Sequence, residues 1–146
     1  MRQLRLALSL ITCLSGGYAT AASAGEVVDV YKSPNCGCCG KWVDHLKERG
    51  FEVRTHTVTD VPAARKQLGM PDRLGSCHTA KVGGYVVEGH VPAADIHRLL
   101  KEKPKALGIA LPSMPPGSPG MESPNPVPYN TLLVQAGGEI SIFAKH

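Results

Sequence analysis

Aromatic residues are scarce in this chain, with two Phe, one Trp and four Tyr among 146 residues. Basic runs are missing too, and basic side chains are nowhere interleaved with aromatics. The stripe of charge and stacking surface that holds nucleic acid is therefore absent, and nucleic acid is not an expected partner. Apolar runs are short. None after residue 14 approaches the ~20 residues needed to cross a bilayer as a helix, so no permanent membrane span is expected. There is no internal repeat, and the net charge is only +4.

The longest apolar run that does occur lies at the start. Met1 to Ala24 has a short basic region (Arg2, Arg5), an apolar run from Leu6 to Leu14 and the small-residue close "ATAASAG". That is the layout of a secretory signal peptide, with cleavage expected between Ala24 and Gly25. A minor alternative makes Cys13 a lipidated cysteine after "LIT", although Thr12 stands where a small residue normally precedes such a cysteine. Cleavage leaves residues 25–146 as an exported, periplasmic chain with 14 basic and 12 acidic residues. These 122 residues are enough for one domain with its own core.

Four cysteines stay with that domain: Cys36, Cys38, Cys39 and Cys77. Three of them crowd one stretch, "SPNCGCCGKW". The surrounding pattern is mixed α/β. "EVVDVYK" (26–32) has β-branched residues at strand spacing, and "SPNCGCCG" reads as a loop. "CGKWVDHLKERG" places Trp42, Val43 and Leu46 on one helical face, with Gly50 as its stop. "FEVRTHTV" (51–58) is a second strand, and "TDVPAARKQLG" a short helix with Asp60 near its N-cap. "HTAKVGGYVVEG" (78–89) is a hairpin around Gly83-Gly84, and a helix opens at Pro92. The order β-α-β, short helix, β-β-α is that of thioredoxin-like domains. In that fold the loop before the third strand faces the motif after the first, which brings Cys77 to the other three thiols. Thioredoxins proper hold a proline in that loop, and "GSCHTA" has none. Residues 111–128 then carry seven of the twelve prolines and read as a loop containing Met114 and Met121. Residues 131–143 read as a closing hairpin.

Two structural disulfides are the plainest use of four exported cysteines. Adjacent cysteines such as Cys38 and Cys39 are only ~3.8 Å apart at Cα, below the preferred disulfide spacing, although Cys36–Cys39 with Cys38–Cys77 remains open. Thiolates are also the soft ligands that select Cu(I), zinc or iron–sulfur clusters. Zn(Cys)4 sites normally use two cysteine pairs, which makes zinc the weaker fit to a group of three and a distant fourth. Consecutive Cys38 and Cys39 do not converge easily on one ion but suit neighbouring ions bridged by sulfur. Copper in a multinuclear Cu(I) site is the expectation.

"YKSPNCGCCGKW", "SCHTA", "VEGHVPA" and "MPPGSPGM" resemble the family of exported domains that includes the CopG copper-resistance proteins. The resemblance runs from about Val27 to Phe143 in four separate blocks. It implies a thioredoxin-like, ferredoxin-like fold, a cysteine-rich copper site and a role in periplasmic copper handling, with Cu(I)/Cu(II) interconversion as a further activity. By position it implies Cys36, Cys38, Cys39 and Cys77 as ligands. His78 and His90 lie in matching blocks, and no block departs from the pattern.

Several side chains are secondary candidates. His78 can ligate or orient a thiolate, although adjacent strand residues point to opposite faces. His90 sits before a helix N-terminus, and Met114 and Met121 offer soft thioethers on the Pro-rich loop. His45 and His97 are expected to be solvated or satisfied locally, His56 has no evident partner, and Trp42 belongs to the core. Lys41 can lower thiol pKa values or simply be solvated. Three functions follow: a copper-binding protein with no catalytic residue assigned, working with other periplasmic copper-handling proteins; a thiol–disulfide oxidoreductase using Cys36 and Cys39 with Cys77 resolving; and a disulfide-stapled interaction module.

Overall fold

The structure, a computed structural model, describes residues 26–146. The expected signal segment, residues 1–24 with Cys13, lies outside the described residues. The elements are β1 (Val27–Lys32), α1 (Gly37–Glu48), β2 (Glu52–Thr57), α2 (Val61–Gln67), a 3-10 turn (Asp72–Leu74), β3 (His78–Val82), β4 (Tyr85–Glu88), α3 (Ala93–Glu102), β5 (Gly108–Ala110), β6 (Asn130–Val134) and β7 (Ile140–Lys145). Seven strands form one mixed sheet in the order β2-β1-β3-β4-β5-β6-β7. β2 runs parallel to β1, and β5 parallel to β4; the other neighbours are antiparallel. No helix among the described residues is long and apolar enough to cross a membrane.

Successive strand residues point to opposite sides of a sheet, and the core divides accordingly. Val87 and Ile109 pack with Trp42, Val43 and Leu46 of α1 and Ile96 and Leu99 of α3. Their neighbours Val86 and Ala110 pack with Met70, Leu74 and Val134 in a second cluster. Leu46 is fully buried in the larger cluster. Leu46→Ala should therefore cost about 2–5 kcal/mol through lost contacts and a residual cavity. Urea unfolding should show this as a lower midpoint at unchanged slope.

The pairing register places the chemistry. Lys32, the last residue of β1, pairs with His78, the first of β3, and Thr79 pairs with Glu88 at the end of β4. One end of the sheet thus gathers the turn into α1, the loop before β3 and the turn after β4. β5 runs parallel to β4 and delivers the Pro-rich segment to the same end.

The structure departs from the sequence reading in four places. The cysteine stretch is helix rather than loop from Gly37 onward, because Cys36 caps it: its Sγ accepts the Cys39 N–H at 3.3 Å. Sulfur there replaces the Ser or Asp oxygen that usually marks a helix start. β5 was hidden after Ala106 because three buried residues carry no period. His56 does have a partner, Asp29 Oδ1 at 2.8 Å, and it stacks on Tyr31. His45 and His97 are not satisfied locally: His45 Nε2 accepts the Ala93 N–H and His97 Nε2 donates to the Arg49 carbonyl, each partner 48 positions away.

Candidate metal centre

Cys36 sits at the cap of α1, and Cys38 and Cys39 in its first turn, so the thiols leave the helix start in different directions. Cys77 approaches from the loop before β3. Its Sγ lies 3.3 Å from Cys39 Sγ and 3.9 Å from Cys38 Sγ, and Cys36 Sγ is 3.5 Å from Cys38 Sγ. All four sulfurs lie within 4.8 Å of one another. The helical turn thereby overcomes the obstacle expected for consecutive residues: Cys38 and Cys39 converge on the same neighbour. Cys36 and Cys39 are joined as a disulfide, while Cys38 and Cys77 are free and partly exposed. In this state two sulfurs are available as thiolates; reduction makes four.

Two imidazoles complete the surroundings of Cys77. Its Sγ is 3.0 Å from His90 Nε2 and 3.4 Å from His78 Nδ1. Strand alternation does not separate Cys77 from His78, because Cys77 precedes the strand. Cys77, His78 and His90 form a second group of possible ligands that shares Cys77 with the first. His90 is fully buried, and its Nδ1 lies 2.8 Å from the Pro119 carbonyl. A carbonyl only accepts, so Nδ1 carries the proton and Nε2 turns a bare lone pair toward Cys77. Such an outer hydrogen bond is the usual way to orient a metal-binding imidazole.

Burial sets the protonation states. It pushes the Cys77 thiol up to about 12, with the Cys38 side chain adding to the effect, so the metal-free thiol donates to His90. Burial lowers His78 to about 3. His78 is thus a neutral imidazole; its ring lies 4.2 Å from that of Trp42, and its Nε2 has no hydrogen-bond partner. His90 is also lowered, chiefly by burial. Two neutral nitrogens beside sulfur form a donor set suited to copper or zinc.

The Pro-rich segment does reach this site, but through its backbone. Besides the Pro119 carbonyl, Gly120 packs so closely that a Cβ there would stand 2.7 Å from the Cys38 carbonyl oxygen and 3.0 Å from Trp42 N. Met114 is exposed at 43 % and Met121 is half-buried. Lys41 pairs with Glu122 at 4.0 Å, both in solvent. Sequence reasoning missed Arg65, Ser76 and Glu88, which lock the loop carrying Cys77. A signal was present: Arg65 lies four residues after Val61, on the inward face of α2, and Glu88 ends an apolar strand.

Residues 74–121 match the family described as "Protein of unknown function, DUF411". The fold is similar to a solved structure named "Copper resistance protein copG- Form 2", with a TM-score of 0.80 and 42% sequence identity. That similarity covers 84% of this chain and 98% of the other. The chain belongs to the CopG copper-resistance protein family. A second CopG structure, "Form 1", gives a TM-score of 0.78 at 43% identity over 82% of this chain and 96% of that one. Among curated proteins none matches. The family match over residues 74–121 includes the Cys77 loop, and the family assignment and the cysteine cluster point together to copper handling.

Proposed function

We propose that this CopG-family protein binds Cu(I) as cargo in a multinuclear thiolate site and serves periplasmic copper resistance. The observation that carries this reading is that two donor groups, Cys36/Cys38/Cys39/Cys77 and Cys77/His78/His90, share one sulfur. A thiolate common to two groups suits bridging between ions, and thiolates favour Cu(I). The signal-like N-terminus supports an exported location, and the β-α-β, β-β-α order supports a thioredoxin-like domain. Copper redox interconversion fits the same site: closing Cys36–Cys39 from two thiols releases two electrons and two protons. Reduction of two Cu(II) ions to Cu(I) takes up those two electrons. Met114 and Met121 belong to this proposal only as thioether donors from the segment over the site.

One observation favours a second reading, thiol–disulfide exchange: Cys77 Sγ lies 3.3 Å from the sulfur of Cys39, which is part of the disulfide. Attack by the Cys77 thiolate would form Cys39–Cys77 and release Cys36 as thiolate. The thiol's raised pKa works against this, since only the thiolate attacks. Anaerobic titration of the reduced protein with Cu(I), against a competing chelator, tests the first reading and should show tight binding. Insulin reduction should be slow beside a thioredoxin control. Fast turnover that needs Cys36 and Cys39 and persists in chelator would put exchange first.

A further inference from the structure

We propose that Arg65 and Glu88 are positioning residues that hold Cys77 over the start of α1, an inference that rests on the copper reading for its functional meaning. Both side chains are buried, Arg65 with 6% and Glu88 with 0% of its side chain exposed. They pair at 2.9 Å, Arg65 Nε donating to Glu88 Oε1. The pair also grips both backbone groups of Ser76, the residue before Cys77. Arg65 Nη2 donates to the Ser76 carbonyl at 2.7 Å, and the Ser76 N–H donates to Glu88 Oε1 at 2.7 Å.

Salt-bridge burial alone gives no reason for such a pair, since well-packed apolar residues are often as stable or more so. The grip on one peptide unit supplies the reason. Guanidinium geometry allows a donor to the carboxylate and another to the carbonyl at once, which a lysine cannot reproduce. The sequence makes room for it: a Cβ at Gly75 would lie 2.8 Å from Arg65 Cζ. The same loop is tied on its far side, where Ser76 Oγ donates to the Ser113 carbonyl at 2.5 Å. α2, the end of β4 and the Pro-rich segment therefore all fix one residue. The Cys77 sulfur is placed within 4 Å of two cysteines and two histidines by a loop that has no proline of its own.

The test uses the paired variant Arg65→Met with Glu88→Met, which leaves no lone buried charge. Ser76 is partly exposed, so water can satisfy its freed backbone groups and the loop is loosened without leaving them orphaned. Two readouts are needed. The first is metal-free: cross-linking of Cys38 to Cys77 by dibromobimane in the Cys36–Cys39 oxidised protein. The second is Cu(I) affinity of the reduced protein by chelator competition. Cross-linking should slow at least about tenfold, and affinity should fall by about 10–100-fold, the usual cost of losing an outer partner. Arg65→Met with Glu88→Gln restores an acceptor for the Ser76 N–H and should recover part of both. It also serves as the test if the Met pair does not fold. Wild-type cross-linking in a folded variant would overturn the clamp. Slow cross-linking with unchanged copper affinity would uphold it and count instead against Cys77 as a copper ligand.

Discussion

Cys77→Ser should lower Cu(I) affinity by more than about a hundredfold, beyond the 10–100-fold cost of removing an outer-shell partner. Among the described residues no other side chain touches as much of the site. Its sulfur is within hydrogen-bond range of Cys38, Cys39, His78 and His90, and it is the sulfur common to both donor groups. Serine is close in size, so the core should be undisturbed and the unfolding midpoint nearly unchanged. A second signature follows from protonation. The metal-free thiol keeps its proton up to about 12, so metal binding must displace it. Below that value, apparent affinity should rise about tenfold per pH unit for this one proton. His78, lowered to about 3, is neutral across pH 6 to 8 and adds no slope there. Cys77→Ser should flatten the pH dependence as well as weaken binding. Wild-type affinity and slope in a folded Cys77→Ser protein would remove Cys77 from the site.

How much of this was legible in the sequence depends on the range of the interaction concerned. Periodic elements were: Trp42, Val43 and Leu46 announced α1, and Gly83-Gly84 announced the β3–β4 hairpin. The proximity of Cys77 to the other thiols followed from the likeness of the element order to thioredoxin-like domains. Sulfur capping by Cys36 was not legible, because cysteine is outside the usual capping residues. β5 was not, because three buried residues show no alternation. The rest of the site depended on contacts between distant positions. His90 meets Cys77 only because β3 and β4 pair antiparallel, and Pro119 meets His90 only because β5 returns the chain to that end of the sheet. The Arg65–Glu88 pair spans 23 positions, and sequence pattern offers only its two halves, a basic residue on an inward helix face and an acid ending an apolar strand.

Copper capacity should switch with the state of the Cys36–Cys39 disulfide. In the oxidised protein two of the four sulfurs are unavailable, leaving Cys38 and Cys77 with His78 and His90. That set suits a single ion at most. Reduction frees four thiols within 4.8 Å of one another. Close packing of the sulfurs does not by itself demand several ions, since four sulfurs can also surround one tetrahedral centre. The Cys77 sulfur lies within 4.8 Å of three cysteine sulfurs and belongs also to a group with two imidazoles. An ion held among the sulfurs leaves those imidazoles with donors to spare, and a second ion can use them through the shared thiolate. Four thiolates also bring the negative charge that offsets repulsion between neighbouring cations. Anaerobic titration should therefore end above one Cu(I) per chain in reductant-treated, desalted protein, and at or below one in oxidised protein. X-ray absorption of the loaded, reduced protein should show sulfur neighbours and a short copper–copper vector. An endpoint of one in both states, with no metal–metal scattering, would leave a mononuclear site and return the third cysteine of "CGCC" to disulfide chemistry.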